Sequence, residues 1–196
     1  MKIIKNNLVA IVFFVFASCS KTETPAPPTV KVYPEENFME SYLSITRLNE
    51  KIVPKIDDNF IEMGTGFQPI EKGKTTAIKV KLPAKNNYLR VTIWDNDLAV
   101  KVREEYIIVP TANAMITKDI PDLDLVKGKQ YTISMNTKDW FQYSRLNDAN
   151  LTYPYVIGNI LILNYKQYIT TNQFFPTNEF SAFYTGDLSF DFQRTE

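Results

Sequence analysis

A two-residue alternation of apolar and polar side chains runs from about Thr75 onward and constrains the fold more than any other feature of this sequence. Ile78, Val80 and Leu82, for example, alternate with two lysines. Successive side chains of a β-strand point to opposite faces of the sheet, so this period predicts strands with one buried face. The segments that the sequence predicts as strands are 78–82, 88–93, 98–102, 106–109, 131–135, 157–169, 179–184 and 188–192.

Turn residues separate these segments at short intervals. Lys72-Gly73, Asp95-Asn96-Asp97, Lys127-Gly128-Lys129 and Thr185-Gly186-Asp187 are typical turn sequences. Many short strands with few helices predict an all-β fold, an antiparallel β-sandwich of the jelly-roll or Ig-like kind with about eight or nine strands. Only residues 35–53 show helical spacing, and a short helix or an irregular first strand would both fit.

The N-terminus has the anatomy of a cleaved signal peptide. Lys2 and Lys5 precede the nine apolar residues Leu8 to Phe16, and the small residues Ala17 and Ser18 follow. The apolar run is shorter than the about 20 residues that a transmembrane helix needs. An ordinary secretory signal that happens to end in a cysteine is the alternative interpretation.

Phe16-Ala17-Ser18-Cys19 resembles the bacterial lipobox, with Phe16 where Leu is usual. The resemblance implies cleavage before Cys19 and attachment of a lipid to its thiol. Ser20, in place of Asp, implies sorting to the outer membrane, on its periplasmic face or at the cell surface. The membrane is thus an expected partner, through a lipid on Cys19.

We therefore expect three regions: a signal peptide in residues 1–18, the lipidated Cys19 with a proline-rich tether in residues 19–30, and a single β-sandwich domain in residues 31–196. Removal of residues 1–18 takes away two lysines and no acidic residue, leaving a formal charge of −2. Such a charge gives no reason to expect nucleic acid as a partner.

The composition excludes several kinds of enzyme. The chain has no histidine and one cysteine, so a Ser-His-Asp triad, a Cys-His pair and a histidine zinc site are impossible. A glycosidase-like pair of carboxylates remains open, but no local context selects two of the 22 acidic residues. The sequence thus predicts a protein that is not an enzyme and that uses no cofactor or metal.

The stretch from Met63 to Phe141 resembles a bacterial β-sandwich domain of unknown function found beside extracellular and glycan-active modules. The resemblance rests on Gly66-Phe67, Ile93-Trp94-Asp95 with Leu98-Ala99, Gly128-Lys129-Gln130-Tyr131 and Asn136. Asn96-Asp97 replaces a turn that contains glycine in that pattern, and the chain lacks the histidine that follows its last strand. The resemblance implies a sandwich fold more than a function.

Four residues are candidates for ligand binding: Trp94, Trp140, Tyr143 and Arg145. Aromatic rings stack on the C–H faces of sugars while polar groups bond the hydroxyls, so the 140–145 segment suits a carbohydrate. The alternation places Trp94 on the outward face with Tyr88. Trp140 could equally plug the core, and Trp94 could cover an edge of the sandwich.

Asp95-Asn96-Asp97 concentrates oxygen ligands as calcium loops do, although a tight turn rich in Asx residues explains it as well. Taken together, the sequence predicts a lipid-anchored extracytoplasmic module that binds a glycan or a surface partner. The alternative is a structural accessory lipoprotein that docks onto an outer-membrane protein complex through a sheet edge or an aromatic patch.

Overall fold

A computed structural model describes residues 31–196, which fold into two antiparallel β-sheets packed face to face. The expected signal peptide (1–18), Cys19 and the tether (19–30) lie outside the described residues. In chain order the elements are β1 (Glu35–Asn37), α1 (Met39–Thr46), a 3₁₀ helix (Leu48–Glu50), β2 (Lys51–Pro69), β3 (Gly73–Lys81), β4 (Asn86–Asp95), β5 (Val100–Val109), β6 (Ile116–Leu125), β7 (Tyr131–Ser144), β8 (Tyr155–Ile157), β9 (Ile160–Ile169), β10 (Asn178–Phe180), β11 (Phe183–Thr185) and β12 (Asp187–Arg194).

The small sheet has the strand order β1-β12-β3-β6, and the large sheet has the order β10-β9-β2-β7-β4-β5, with β8 paired to β9 and β11 paired to β7. The predicted all-β sandwich is therefore confirmed. Eight strands are at least eight residues long, close to the predicted number, and four more have three residues each. Such short strands leave too little pattern in a sequence to be recognised.

The core lies between the inner faces of the two sheets, where the alternating apolar side chains meet. Ile78 and Val80 of β3 lie beside Phe190 of β12, and all three are fully buried. Phe67 of β2 reaches them from the large sheet, its ring centroid 4.5 Å from that of Phe190. Burial of these rings and branched chains drives the association of the sheets.

Helix α1 closes one side of the core. Asn37 Oδ1 accepts a hydrogen bond from the Met39 amide (3.1 Å) at its start, and Arg47 in a left-handed conformation (φ 60°) ends it. Tyr42 is buried as the helical spacing predicts, whereas Ile45 is 60% exposed. Thr46 takes the inward position instead, so the helix is rotated from the face that the apolar residues suggest.

Three predicted strands differ in detail. Leu98 lies in a turn and is 69% exposed, and Val100 is also exposed because β5 is the edge of the large sheet. Residues 157–169 are interrupted by a hairpin turn at Gly158 and Asn159. Residues 179–184 are divided between β10 and β11, which pair with different neighbours.

No helix within residues 31–196 is both long and apolar enough to cross a bilayer.

A group of buried tyrosines, with the half-buried Tyr153 beside them, lies at one end of the core. Tyr42 and Tyr153 share a hydrogen bond between their hydroxyls (2.7 Å), and Tyr184 packs edge-on against Tyr42 and Tyr165. Desolvation is the main reason that the pKa values of these four tyrosines are raised. The pKa of Tyr153 is raised to about 12. Desolvation, followed by the charge of Asp187, also raises the pKa of Tyr143.

These raised pKa values predict unfolding by alkali. Tyrosines in the unfolded chain lose their protons near pH 10, before the buried tyrosines of the folded chain can do so. The contribution of these tyrosines to stability should be constant below pH 10 and should fall as the pH rises above it, by up to about 1.4 kcal/mol per pH unit for each tyrosine of the group. Tyrosinate absorbance and far-ultraviolet circular dichroism should then change together. Ionisation of all tyrosines before any loss of strand signal would contradict this expectation.

Candidate binding site

The outer face of the large sheet carries a buried polar network. Glu62 of β2 is fully buried there, although it points away from the hydrophobic core. Its Oε2 accepts a hydrogen bond from Arg90 Nη2 of β4 (2.9 Å), and its Oε1 accepts one from Ser134 Oγ of β7 (2.5 Å). Ser134 Oγ in turn accepts a bond from the indole N–H of Trp94 (2.7 Å). Three neighbouring strands are thus joined through one carboxylate.

The environment of Glu62 sets the charge of this network. Desolvation raises the pKa of Glu62, and the hydrogen bonds from Ser134 and Arg90 oppose that increase. The Arg90 side chain is 17% exposed and forms an ion pair with Glu62. Because Glu62 is inaccessible to solvent, it cannot touch a ligand. Its role is to hold Arg90 in one position at the surface.

A segment without regular secondary structure, residues 170–177, covers part of this face, and we call it the covering segment. Asn136 Nδ2 donates a hydrogen bond to the Thr170 carbonyl (3.0 Å), and Gln173 Nε2 donates to Thr92 Oγ1 (3.0 Å) and to Glu104. Phe175 packs edge-on against the Trp94 ring, with 5.9 Å between centroids. The segment therefore buries Trp94 and leaves the other end of the sheet face open.

The open end forms a cleft of about 390 Å³. This volume lies in the range of about 300–1,000 Å³ that is typical of small-molecule sites. The sheet contributes the floor, the covering segment one wall, and the β2 residues before Ile61 another. The lining residues are Phe60, Asn86, Tyr88, Arg90, Tyr106, Asn136 and Thr171.

Two stacked tyrosines form the aromatic side of the cleft. The rings of Tyr88 (β4) and Tyr106 (β5) lie 4.2 Å apart with 24° between their planes. Tyr88 is 70% exposed, so much of its ring surface is available to a ligand. The Tyr106 hydroxyl donates a hydrogen bond to Glu104 Oε1 (3.2 Å). Desolvation, together with its neighbours Tyr88 and Glu104, raises the pKa of Tyr106.

Polar side chains line the cleft beside these rings. Asn86 and Asn136 offer amide groups, and Arg90 offers guanidinium N–H groups beyond the one that Glu62 accepts. The Asn86 side chain also accepts a hydrogen bond from the Tyr88 amide (2.8 Å), which fixes the turn into β4. The cleft thus combines a flat aromatic surface with fixed hydrogen-bonding groups.

Trp94 lies on the predicted face of β4 but is only 5% exposed, so its ring is not available at the surface. The alternation correctly placed it with Arg90 and Thr92. The covering segment, which is distant in sequence, buries it. Of the two interpretations of Trp94, the structure therefore favours the structural one.

Trp140 and Tyr143 are buried in the core, at 7% and 2% exposure. The Tyr143 hydroxyl donates to Asp187 Oδ2 (2.5 Å), which also pairs with Lys81 (2.8 Å). Arg145 Nε donates to the Thr46 carbonyl (2.7 Å) and so supports the end of α1. Tyr143 and Arg145 thus have polar partners within the fold, and Trp140 packs in the hydrophobic core.

The four predicted ligand-binding residues do not converge. Trp94 pairs with Thr132 near the start of β7, and Trp140 lies eight positions further along that strand. At about 3.3 Å per residue, this separation corresponds to about 25 Å. A site shared by Trp94 with Trp140, Tyr143 and Arg145 is therefore inconsistent with the fold.

Sequence reasoning missed Tyr88 and Tyr106 as site residues. The alternation did contain a signal, because it placed Tyr88 and Arg90 together on the outward face of one strand. Which outward ring stays exposed depends on the path of the covering segment. That path cannot be inferred from the period of β4 alone.

Asp95 lies in a tight turn with a salt bridge. Its Oδ1 accepts a bond from the Asp97 amide (3.0 Å), and its Oδ2 pairs with Lys129 Nζ (2.6 Å). The bond from Lys129 is the main cause that lowers the pKa of Asp95. This geometry is that of an Asx turn. Within residues 31–196, no cluster of three or more His, Cys, Asp or Glu side chains could hold a metal ion.

Comparison with known proteins finds no matching family model, no matching curated protein and no matching solved structure.

The buried network leads to a stability prediction. We expect Glu62→Gln to lower the free energy of unfolding by about 2–3 kcal/mol, because Arg90 loses its charged partner in a largely buried position. The double variant with Arg90→Met should lose less than the two single variants added together. Urea unfolding of all three variants measures this coupling.

Glu71→Gln is the matched control, because Glu71 pairs with Lys127 at an exposed position. Its effect should stay within about 0.5 kcal/mol. Strict additivity of the Glu62 and Arg90 substitutions would show that the two side chains are not coupled.

Proposed function

We propose that this protein is a lipid-anchored extracytoplasmic module that binds a glycan in the cleft beside Tyr88 and Tyr106. The main observation in its support is the exposed stack of these two rings next to Asn86, Asn136 and Arg90. Sugars present apolar C–H faces and a ring of hydroxyls. An aromatic surface flanked by amides and a guanidinium is complementary to both.

The charge of the cleft favours an uncharged glycan. Arg90 is the only cationic residue in its lining, and Glu62 compensates that charge from beneath. An anionic sugar would have to compete with a buried carboxylate for the same guanidinium. A neutral sugar can instead accept hydrogen bonds from the remaining N–H groups of Arg90 without displacing Glu62.

The fixed geometry of the cleft supports a binding role. Glu62 holds Arg90, the turn at Asn86 is hydrogen-bonded, and Tyr106 is tethered to Glu104. Side chains that are already ordered lose little conformational entropy when a ligand arrives. The buried position of Glu62 also keeps it from acting as a general acid on a bound sugar, which agrees with binding rather than catalysis.

A second candidate function is docking to an outer-membrane protein complex. The observation in its favour is the edge strand β5, whose Val100 and Val102 are 48% and 40% exposed. An added strand could pair there. Four charged residues, from Lys101 to Glu105, interrupt this edge, as natural proteins do to discourage such pairing. Docking through β5 would be lost in Val102→Lys and retained in Tyr88→Ala, whereas glycan binding should respond in the opposite way.

Binding should depend on the ring of Tyr88. We expect Tyr88→Ala to weaken binding of a neutral polysaccharide at least about tenfold, or ~1.4 kcal/mol, because the stacking surface is lost. Affinity electrophoresis of the full chain in detergent, through gels that contain starch, xylan, galactomannan or mixed-linkage β-glucan, identifies the ligand. Calorimetry then measures its affinity. Tryptophan fluorescence is a poorer probe, because both tryptophans are buried.

Two control variants separate ring loss from general effects. Tyr88→Phe keeps the ring and should bind within about threefold of the parent protein. Leu146→Ala removes a 71% exposed apolar side chain away from the cleft lining and should leave binding unchanged. Retardation that is equal for the parent protein and Tyr88→Ala would place the glycan elsewhere, and absence of retardation on every polysaccharide would refute the proposal.

Membrane attachment should depend on the Cys19 thiol, which the resemblance to the lipobox assigns to lipidation. We expect Cys19→Ser to move the protein from the membrane fraction to the soluble fraction, because one thiol carries the anchor. Fractionation and detergent partitioning measure this shift. Ser20→Ala keeps the thiol and should stay with the membrane. A Cys19→Ser variant that remained fully in the membrane fraction would show that the attachment is not through this lipid.

A further inference from the structure

The cleft does not end at Phe60, because a second cavity adjoins it there. This cavity measures about 190 Å³. It is lined by Phe60 and Thr171, which also line the first cavity, and by Asp58, Asn59 and Lys138 among others. Alone it is smaller than the about 300 Å³ that small-molecule sites usually reach. As a continuation of the cleft, it lengthens the available surface beyond a single compact ligand.

The wall between the two cavities is a bulge in β2. Four residues, 57–60, stand opposite Lys138 alone, because Ile56 pairs with Asp139 and Ile61 pairs with Thr137. Within the bulge, Asp57 Oδ1 accepts hydrogen bonds from the Asn59 amide (2.8 Å) and from the Asn59 side chain (3.2 Å). A β-bulge of this kind redirects side chains, and here it turns Phe60 toward the outer face of the sheet.

Phe60 is held in place on two sides. Its carbonyl accepts a hydrogen bond from the Thr170 amide (2.9 Å), which ties the bulge to the covering segment. Lys138 Nζ lies 5.0 Å from the centroid of its ring, a cation–π contact. The ring is 36% exposed. A ligand that crosses from one cavity to the other must therefore pass over a fixed aromatic edge.

Each cavity pairs an aromatic ring with polar groups. Tyr88 and Tyr106 line the first with Asn86 and Arg90, and Phe60, which both cavities share, lines the second with Asn59 and Lys138. Aromatic and polar side chains thus recur along one groove. This arrangement suits a polymer that presents the same chemical unit at regular intervals. A monosaccharide could satisfy only one of the two.

We propose that the ligand is a linear neutral oligosaccharide or polysaccharide that occupies both cavities at once and passes over Phe60. This inference rests on the proposed glycan-binding function and specifies its ligand class. Internal stretches of a chain are bound as well as chain ends, since both cavities are open to solvent. Lys138 contributes hydrogen bonds to the units that enter the second cavity, and Asp58, which lines the same cavity, supplies the opposite charge there.

A series of oligosaccharide lengths tests this proposal. The probes are cello-, malto-, xylo- and mannooligosaccharides from monosaccharide to hexasaccharide, titrated by calorimetry into the full chain in detergent. We expect the affinity for the recognised series to rise at least about tenfold between the disaccharide and the hexasaccharide and then to level off. In Lys138→Ala, the ratio of hexasaccharide to disaccharide affinity should fall to within about threefold.

Lys55→Ala is the matched control, because Lys55 is an exposed lysine of β2, the strand paired with that of Lys138, and lines neither cavity. It should keep the full dependence on length. A disaccharide that binds as tightly as the hexasaccharide would overturn the extended site and leave the glycan-binding function intact. Dependence on length that persists in Lys138→Ala would exclude the second cavity as its cause. Absence of binding for every series and length would refute both proposals.

Discussion

The pairing of β2 with β7 is the constraint on which the rest of this structure depends. These two strands run antiparallel over most of their length, and they also carry β9, β11 and β4 as further neighbours. Their inner sides supply Met63, Phe67 and Ile133 to the core. Their outer sides place Glu62 beside Ser134 and Asn136. The interruption of the same pairing at residues 57–60 produces the wall of the cleft, so the register of one strand pair sets both the core and the site.

A carboxylate buried on the outer face of a sheet needs compensation, and the structure supplies it from three strands. Desolvation of Glu62 is unfavourable for its charged form. Arg90 and Ser134 offset that cost with short hydrogen bonds. The same contacts fix the guanidinium at the base of the cleft. An interaction that adds little net stability can therefore still determine where a binding group lies.

The fold could be predicted from the sequence because alternation is local information, and Ile78, Val80 and Leu82 are buried as the pattern requires. The site could be predicted only in part. The period of β4 correctly grouped Tyr88, Arg90 and Trp94 on one face. It could not reveal that residues 170–177 cover Trp94 and leave Tyr88 open, because that contact joins segments about 80 residues apart. Trp140 and Tyr143 were indistinguishable from surface rings for the same reason, since burial at a sandwich end depends on distant strands.

The covering segment belongs to neither sheet. One wall of the cleft is therefore built independently of the strands that form its floor. Its attachments to the large sheet are a few hydrogen bonds, including the backbone bond from Thr170 to Phe60, and the contact of Phe175 with Trp94. A substitution at Thr171, which lines the cleft, can thus reshape one wall while the strand pairing, the core and the tyrosine stack stay intact. Under the proposed function, a change confined to this segment would alter which ligand fits the cleft without altering the sandwich that carries it.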